Sequence, residues 1–148
     1  MNHSLPYWHE LPDLDLYLDQ VLMYVNQATK APYCLEQKAL TAAMINNYVK
    51  HKQIEKPIKK KYKKHQLARL IALTILKNVF SIQEISQTLK MLLLSSDSAT
   101  LYNHFIDCMQ DKDSKETPDI IRHACQTVKL YYQTHQLAFE LERSFHEE

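Results

Sequence analysis

Residues 40–89 read LTAAMINNYVKHKQIEKPIKKKYKKHQLARLIALTILKNVFSIQEISQTL. Wound at about 100° per residue, the segment opened by Thr41 puts Met44, Ile45, Tyr48 and Val49 on one side and Ala43, Asn46, Asn47 and Lys50 on the other, which predicts a short amphipathic helix. It fades into HKQIEKP before Pro57. In KPIKKKYKKH, Ile58, Lys60 and Tyr62 alternate with lysines, so the spacing allows at most a short two-stranded wing near Ile58 to Tyr62. A helix from about Lys64 to Val79 follows. Ser81 and Glu84 then stand as a capping-box pair with Phe80 and Ile85 at the staple positions, which predicts a helix from Ile82 to about Leu94.

Working outward, Leu14, Leu18, Val21, Leu22 and Val25 share one helical face, and Asp13 is placed to cap a first helix running to about Thr29. Ala31-Pro32-Tyr33 interrupts it, and Tyr7 and Trp8 lie in an irregular leader. Downstream, Ser95 to Ser98 make a loop and a cap for a helix to about Gln110. Thr117-Pro118-Asp119 has the cap, the proline and the first-turn acid of a helix start, and the last helix runs from Pro118 nearly to the end. The expectation is an all-α chain of about six helices, one domain over 1–148. Within it, residues of about 14–94 form one module, and about 97–148 supply the C-terminal helices.

Composition excludes several chemistries. The chain has no glycine, and phosphate-cradling loops, dinucleotide fingerprints and nucleophile elbows all rely on it. The most hydrophobic stretch, Leu67 to Phe80, is broken by Arg69, Thr74, Lys77 and Asn78 and is no membrane span. The N-terminus lacks the basic and apolar regions of a secretory signal. Cys34, Cys108 and Cys125 are odd in number and unpaired in spacing, which suits reduced thiols, so a cytoplasmic location is expected. His104 with Cys108 and His123 with Cys125 lack metal-site spacing and read as ordinary helix residues. Neither a catalytic residue nor a cofactor is expected, and no metal. The acids Asp13, Asp15, Asp19, Asp107, Asp111 and Asp113 read as helix-terminal and loop charges.

Charge is segregated. Residues 1–29 hold no base and four acids, residues 30–77 twelve bases and two acids, and residues 78–148 six bases and eleven acids. Between Lys50 and Lys64 there are eight lysines against the single acid Glu55, a density suited to neutralising phosphates. The preceding helix turns outward a small residue (Ala43), two amides able to read adenine edges (Asn46 and Asn47) and one phosphate ligand (Lys50). Duplex DNA is the partner these residues imply. The alternative is a protein-interaction module in which the lysines meet an acidic partner.

The same stretch resembles the winged helix-turn-helix of mercury-resistance-regulator (MerR-like) transcription factors, with Tyr48, Ile54, Tyr62, Leu67, Leu70, Ile75, Leu76, Ser81, Ile82, Glu84 and Ile85 in the corresponding places. Together with LPDLDLYLDQV near the start, it is also similar to a bacterial family known only as domain of unknown function 1836, over about residues 5 to 94. The resemblance implies a DNA-binding transcription regulator. Lys50, Lys59, Lys60, Lys61, Lys63 and Lys64 would hold phosphates, Asn46 and Asn47 would touch bases, and Tyr62 would anchor the wing against Leu67 or Leu70. Gln53 and Pro57-Ile58 stand where that family's turn and wing usually carry glycine. The resemblance also implies a homodimer through the C-terminal helix, with Ile121, Ala124, Val128, Tyr131, His135, Ala138, Glu142 and Phe145 at the seam. Packing along the fifth helix within one chain is the alternative.

Overall fold

Most of the third predicted helix is apolar all round, which is the pattern of a helix enclosed by others. In the computed structural model, which describes residues 4–30 and 39–146, it is α3 (Lys64–Leu76), and Leu70, Ile71 and Leu73 along it are sealed from solvent. Around it pack α1 (Leu18–Ala28), α4 (Ile82–Leu92), α5 (Ser98–Met109) and α6 (Asp119–His146), while α2 (Ala42–Lys50) rests on α1. One hydrophobic cluster runs from Leu11 and Val21 through Ile45, Ile54 and Tyr62 to Ile106 and Val128. The described chain is thus mostly helical, with six α-helices and a two-stranded antiparallel sheet. No helix among the described residues is long and apolar enough to cross a membrane.

The first helix starts later than the apolar spacing suggests. Leu16–Tyr17 is extended as β1 and pairs with β2 (Lys61–Tyr62), Leu16 opposite Tyr62 and Tyr17 opposite Lys61. The helix opens only at Leu18, where Gln20 Oε1 accepts from the Tyr17 N–H at 2.9 Å. Asp13 caps nothing there and instead pairs with Lys64 Nζ at 2.6 Å; Leu14, expected on the buried face, is 76% exposed. The stretch LDLYL fits both a period of two and a period of 3.6. Pairing with a distant strand decided between them.

The leader is a latch on α5. The Tyr7 hydroxyl donates to Asp107 Oδ1 at 2.7 Å, the Trp8 N–H donates to Asn103 Oδ1 at 2.9 Å, and the Tyr102 hydroxyl donates to the Pro6 carbonyl at 2.7 Å. The bond to Asp107 pushes the Tyr7 phenol up to about 12.

Ser81 and Glu84 form the reciprocal capping box: Glu84 N–H to Ser81 Oγ at 3.1 Å and Ser81 N–H to Glu84 Oε2 at 2.9 Å. Ile85 is buried and Phe80 half-buried. Thr117 departs from expectation. Its Oγ1 accepts from the Ser114 N–H at 3.1 Å, back into the loop. Arg122 closes that loop by bonding Asp113, Asp119 and the carbonyls of Ser114 and Thr117.

The seam expected on the last helix is corrected as well. Cys125 and Val128 are fully buried where α6 packs along α5 and α3, so this part of the stripe is consumed inside the chain. Beyond Tyr132 the helix projects, and Leu137, Leu141 and Phe145 are 66%, 69% and 78% exposed. At 100° per residue, Leu130, Leu137 and Leu141 lie on the side opposite Val128.

Two pairs of substitutions check this arrangement. Val128→Glu buries an unpaired charge and should lower the melting temperature strongly, whereas Leu137→Glu should stay within about 0.5 kcal/mol of the parent. Ser81→Ala should cost about 1 kcal/mol in a denaturant titration. Phe80→Ala should cost less than the roughly 3–5 kcal/mol typical of a fully buried ring, because this ring is only partly buried against the core.

Candidate nucleic-acid interface

Helix α2 is set on the core by its ends and its inner face. Thr41 Oγ1 accepts from the Met44 N–H at 3.2 Å as the N-cap. Asn26 on α1 grips the residue before it in both directions, accepting from the Leu40 N–H at 2.7 Å and donating to the Leu40 carbonyl at 3.0 Å. Ile45 and Tyr48 are buried. With that face fixed inward, Ala43, Asn46, Asn47 and Lys50 are all exposed, as their spacing predicts. Asn26 carried no signal of its own in the sequence, since its partner is a backbone group fourteen residues away.

The chain leaves α2 through a sharp turn. Lys52 takes φ 59°, and the N–H groups of Gln53 and Ile54 both donate to the Tyr48 carbonyl, at 2.8 and 3.3 Å. Ile54 then plugs into the core at 2% exposure. The next residues are held by α3. Gln66, itself buried, donates from Nε2 to the carbonyls of Glu55 at 2.9 Å and Lys56 at 3.3 Å, while its Oε1 accepts from the Lys63 N–H at 2.6 Å. A buried amide is favourable only when its polar atoms are satisfied, and here that requirement fastens the linker to the helix.

The basic segment then forms a two-residue hairpin. Ile58 and Lys61 exchange both backbone hydrogen bonds, at 3.1 and 3.0 Å, and between them Lys59 and Lys60 sit at φ 51° and 68°. Two consecutive left-handed residues make the turn type that normally selects Asn-Gly. The alternating stretch from Ile58 to Tyr62 is therefore folded at Lys59-Lys60 and is not a single strand. Nor do the positions that demand positive φ fall at Gln53 and Pro57-Ile58; they fall at Lys52, Lys59 and Lys60.

The candidate contact residues divide accordingly. Lys50, Lys59, Lys60 and Lys63 are exposed. Lys61 is partly covered, with Nζ 5.2 Å from the centre of the Tyr17 ring, and Lys64 is committed to Asp13. Tyr62 is 4% exposed and belongs to the same core cluster as Leu67 and Leu70; it anchors the hairpin and is withdrawn from any contact surface. Lys52 and Lys56, omitted from the candidate set, are exposed on the linker. Chemically these exposed residues offer two amides, a small residue and six solvated ammonium groups, a set suited to polyanions.

The cysteine and histidine positions go elsewhere. Cys108 and Cys125 are buried and burial pushes both thiols up, against thiolate chemistry. His104 faces Thr117 Oγ1 at 3.4 Å and His123 faces the Asp119 carbonyl at 2.9 Å. Cys34 and the Ala31-Pro32-Tyr33 break lie outside the described residues. Among the described residues no three His, Cys, Asp or Glu side chains are grouped to hold a metal.

Against known proteins, the family model described as "Domain of unknown function (DUF1836)" matches residues 6–105. No curated protein and no solved structure matches the chain.

Two substitutions test the construction of this face. Replacing Lys59-Lys60 with Asn-Gly relieves the left-handed strain and should raise stability by about 1–2 kcal/mol in a denaturant titration. Gln66→Leu leaves the linker carbonyls and the Lys63 N–H without their partner. It should cost about 1–3 kcal/mol and speed amide hydrogen exchange in residues 53–63 ahead of the rest of the chain.

Proposed function

The chain belongs to the DUF1836 family, which its matched two thirds places it in, and on its exposed amides and lysines we propose that it is a DNA-binding transcription regulator of the MerR-like winged helix-turn-helix type. In this mechanism α2 enters the major groove of duplex DNA with Asn46 and Asn47 toward adenine edges and Ala43 allowing close approach. Lys50, Lys52, Lys56, Lys59, Lys60 and Lys63 take phosphates. The observation that carries the proposal is the pairing of two features. The outer face of α2 presents Asn, Asn and Lys, and a strained turn beyond it spends both left-handed positions on lysine. Strain of that kind is retained where surrounding structure and use require it.

Lys61 and Lys64 contribute less than the other lysines, because one is partly covered by Tyr17 and the other is ion-paired. Self-association through α6 belongs to its projecting half, with Leu137 and Leu141 in place of Val128. Leu137→Glu should then convert a dimer seen by light scattering into a folded monomer.

The DNA contacts should separate by kind. Lys59→Ala with Lys60→Ala should weaken binding about equally on all sequences and reduce the slope of log affinity against log salt by roughly two. Asn47→Ala, and in parallel Asn46→Ala, should cost about 1–3 kcal/mol on a site selected from a random pool and almost nothing on unrelated DNA. If the parent shows no binding at about 50 mM salt, or if the lysine and asparagine variants behave alike, base readout by α2 is refuted and the lysines belong to an acidic protein partner.

A further inference from the structure

Helices α3, α4, α5 and α6 enclose an open cleft of about 330 Å³, at the lower end of the roughly 300–1,000 Å³ range of small-molecule sites, and its polar end borders the linker that follows α2. Its floor is one stripe of α3. Along it come His65, Ala68 and Arg69 at one end, then Ala72, and then Leu76, continued by Phe80, at the other. The two alanines make the trough, since a larger residue at either position would fill it. Leu89, Phe105 and Ile121 supply walls from the other three helices. From His65 to Leu76 the helix rises roughly 16 Å, so the trough is long and its lining mostly apolar, and among the described residues Arg69 is the only Arg or Lys side chain in it, near one end. That pattern suits an extended hydrocarbon chain carrying one anionic head group.

The polar end has an unmet need. His65 is paired with Glu55 at 2.7 Å, but among the described residues no carboxylate lies within ion-pair distance of Arg69. Its one hydrogen bond there is a long one, from Nη1 to the Gln53 carbonyl at 3.3 Å. Burial lowers the pKa of this guanidinium against a smaller opposing pull from Glu55, which marks a partly desolvated cation only partly compensated by charge. Such a group gains most from a bidentate anionic partner.

We propose that the cleft binds an amphiphilic carboxylate of the fatty-acid class, the head group on Arg69 and the tail over Ala72 toward Leu76 and Phe80. The site is independent of the DNA-binding proposal and stands or falls without it. The full chain is titrated calorimetrically with decanoate below its micellar concentration, and with decanol as the uncharged arm. Decanoate should bind saturably at one site and raise the melting temperature, with decanol at least tenfold weaker. Arg69→Gln should cut decanoate affinity about tenfold and leave decanol unchanged, and Ala72→Phe should abolish both while the circular dichroism spectrum stays that of the parent. Equal affinity for the two ligands, or decanoate binding unchanged in both variants, would overturn the proposal. So would a dimer that decanoate neither binds saturably nor dissociates, which would make the cleft an interface between copies.

Discussion

The side chain of Gln66 is the joint on which the outer half of the molecule hangs. It is a buried amide in an otherwise apolar helix face, and its cost is met by three backbone groups outside its own helical ladder: two carbonyls of the linker and the N–H that opens α3. Hydrophobic burial alone would place Ile54 and Tyr62 in the core without fixing the chain between them. The amide does fix it, and so determines where the linker turns and where the lysines beyond it emerge. A buried polar group of this kind specifies one arrangement more than it adds stability, because its alternatives leave donors and acceptors unpaired.

The absence of glycine has a structural consequence as well as an exclusionary one. The turns after α2 and at the hairpin tip need left-handed backbone, and lysine fills them at Lys52, Lys59 and Lys60; Asp111 does the same after α5. Each such position carries a steric cost for a residue with a Cβ. Three of these four residues lie in the basic segment, so the costs are concentrated where side-chain charge is presented to solvent.

Helix α6 divides along its length. Its first half is a core element, sealed through Cys125 and Val128, and its second half carries large apolar side chains with nothing of the described chain to cover them. A single helical repeat read over all 28 residues mixes these two roles. This is why a seam drawn through Val128 points into the protein instead of out of it.

Much of this was legible in the residues themselves. The helix order, the cap at Ser81 and the two faces of α2 follow from local rules, since caps and periodicity act within one or two turns of chain. The charge segregation and the exposed Asn46, Asn47 and Lys50 are likewise local. What only tertiary structure decided involves partners far apart in sequence. Leu16–Tyr17 became a strand because Lys61–Tyr62 was there to pair with it, Asp13 became the partner of Lys64 instead of a cap, and Tyr7 became a latch because Asp107 accepts the hydrogen bond from its hydroxyl. For the same reason Arg69 came to stand near the end of a trough built from four helices. Periodicity tells which residues share a face, but only the packed chain tells what that face meets.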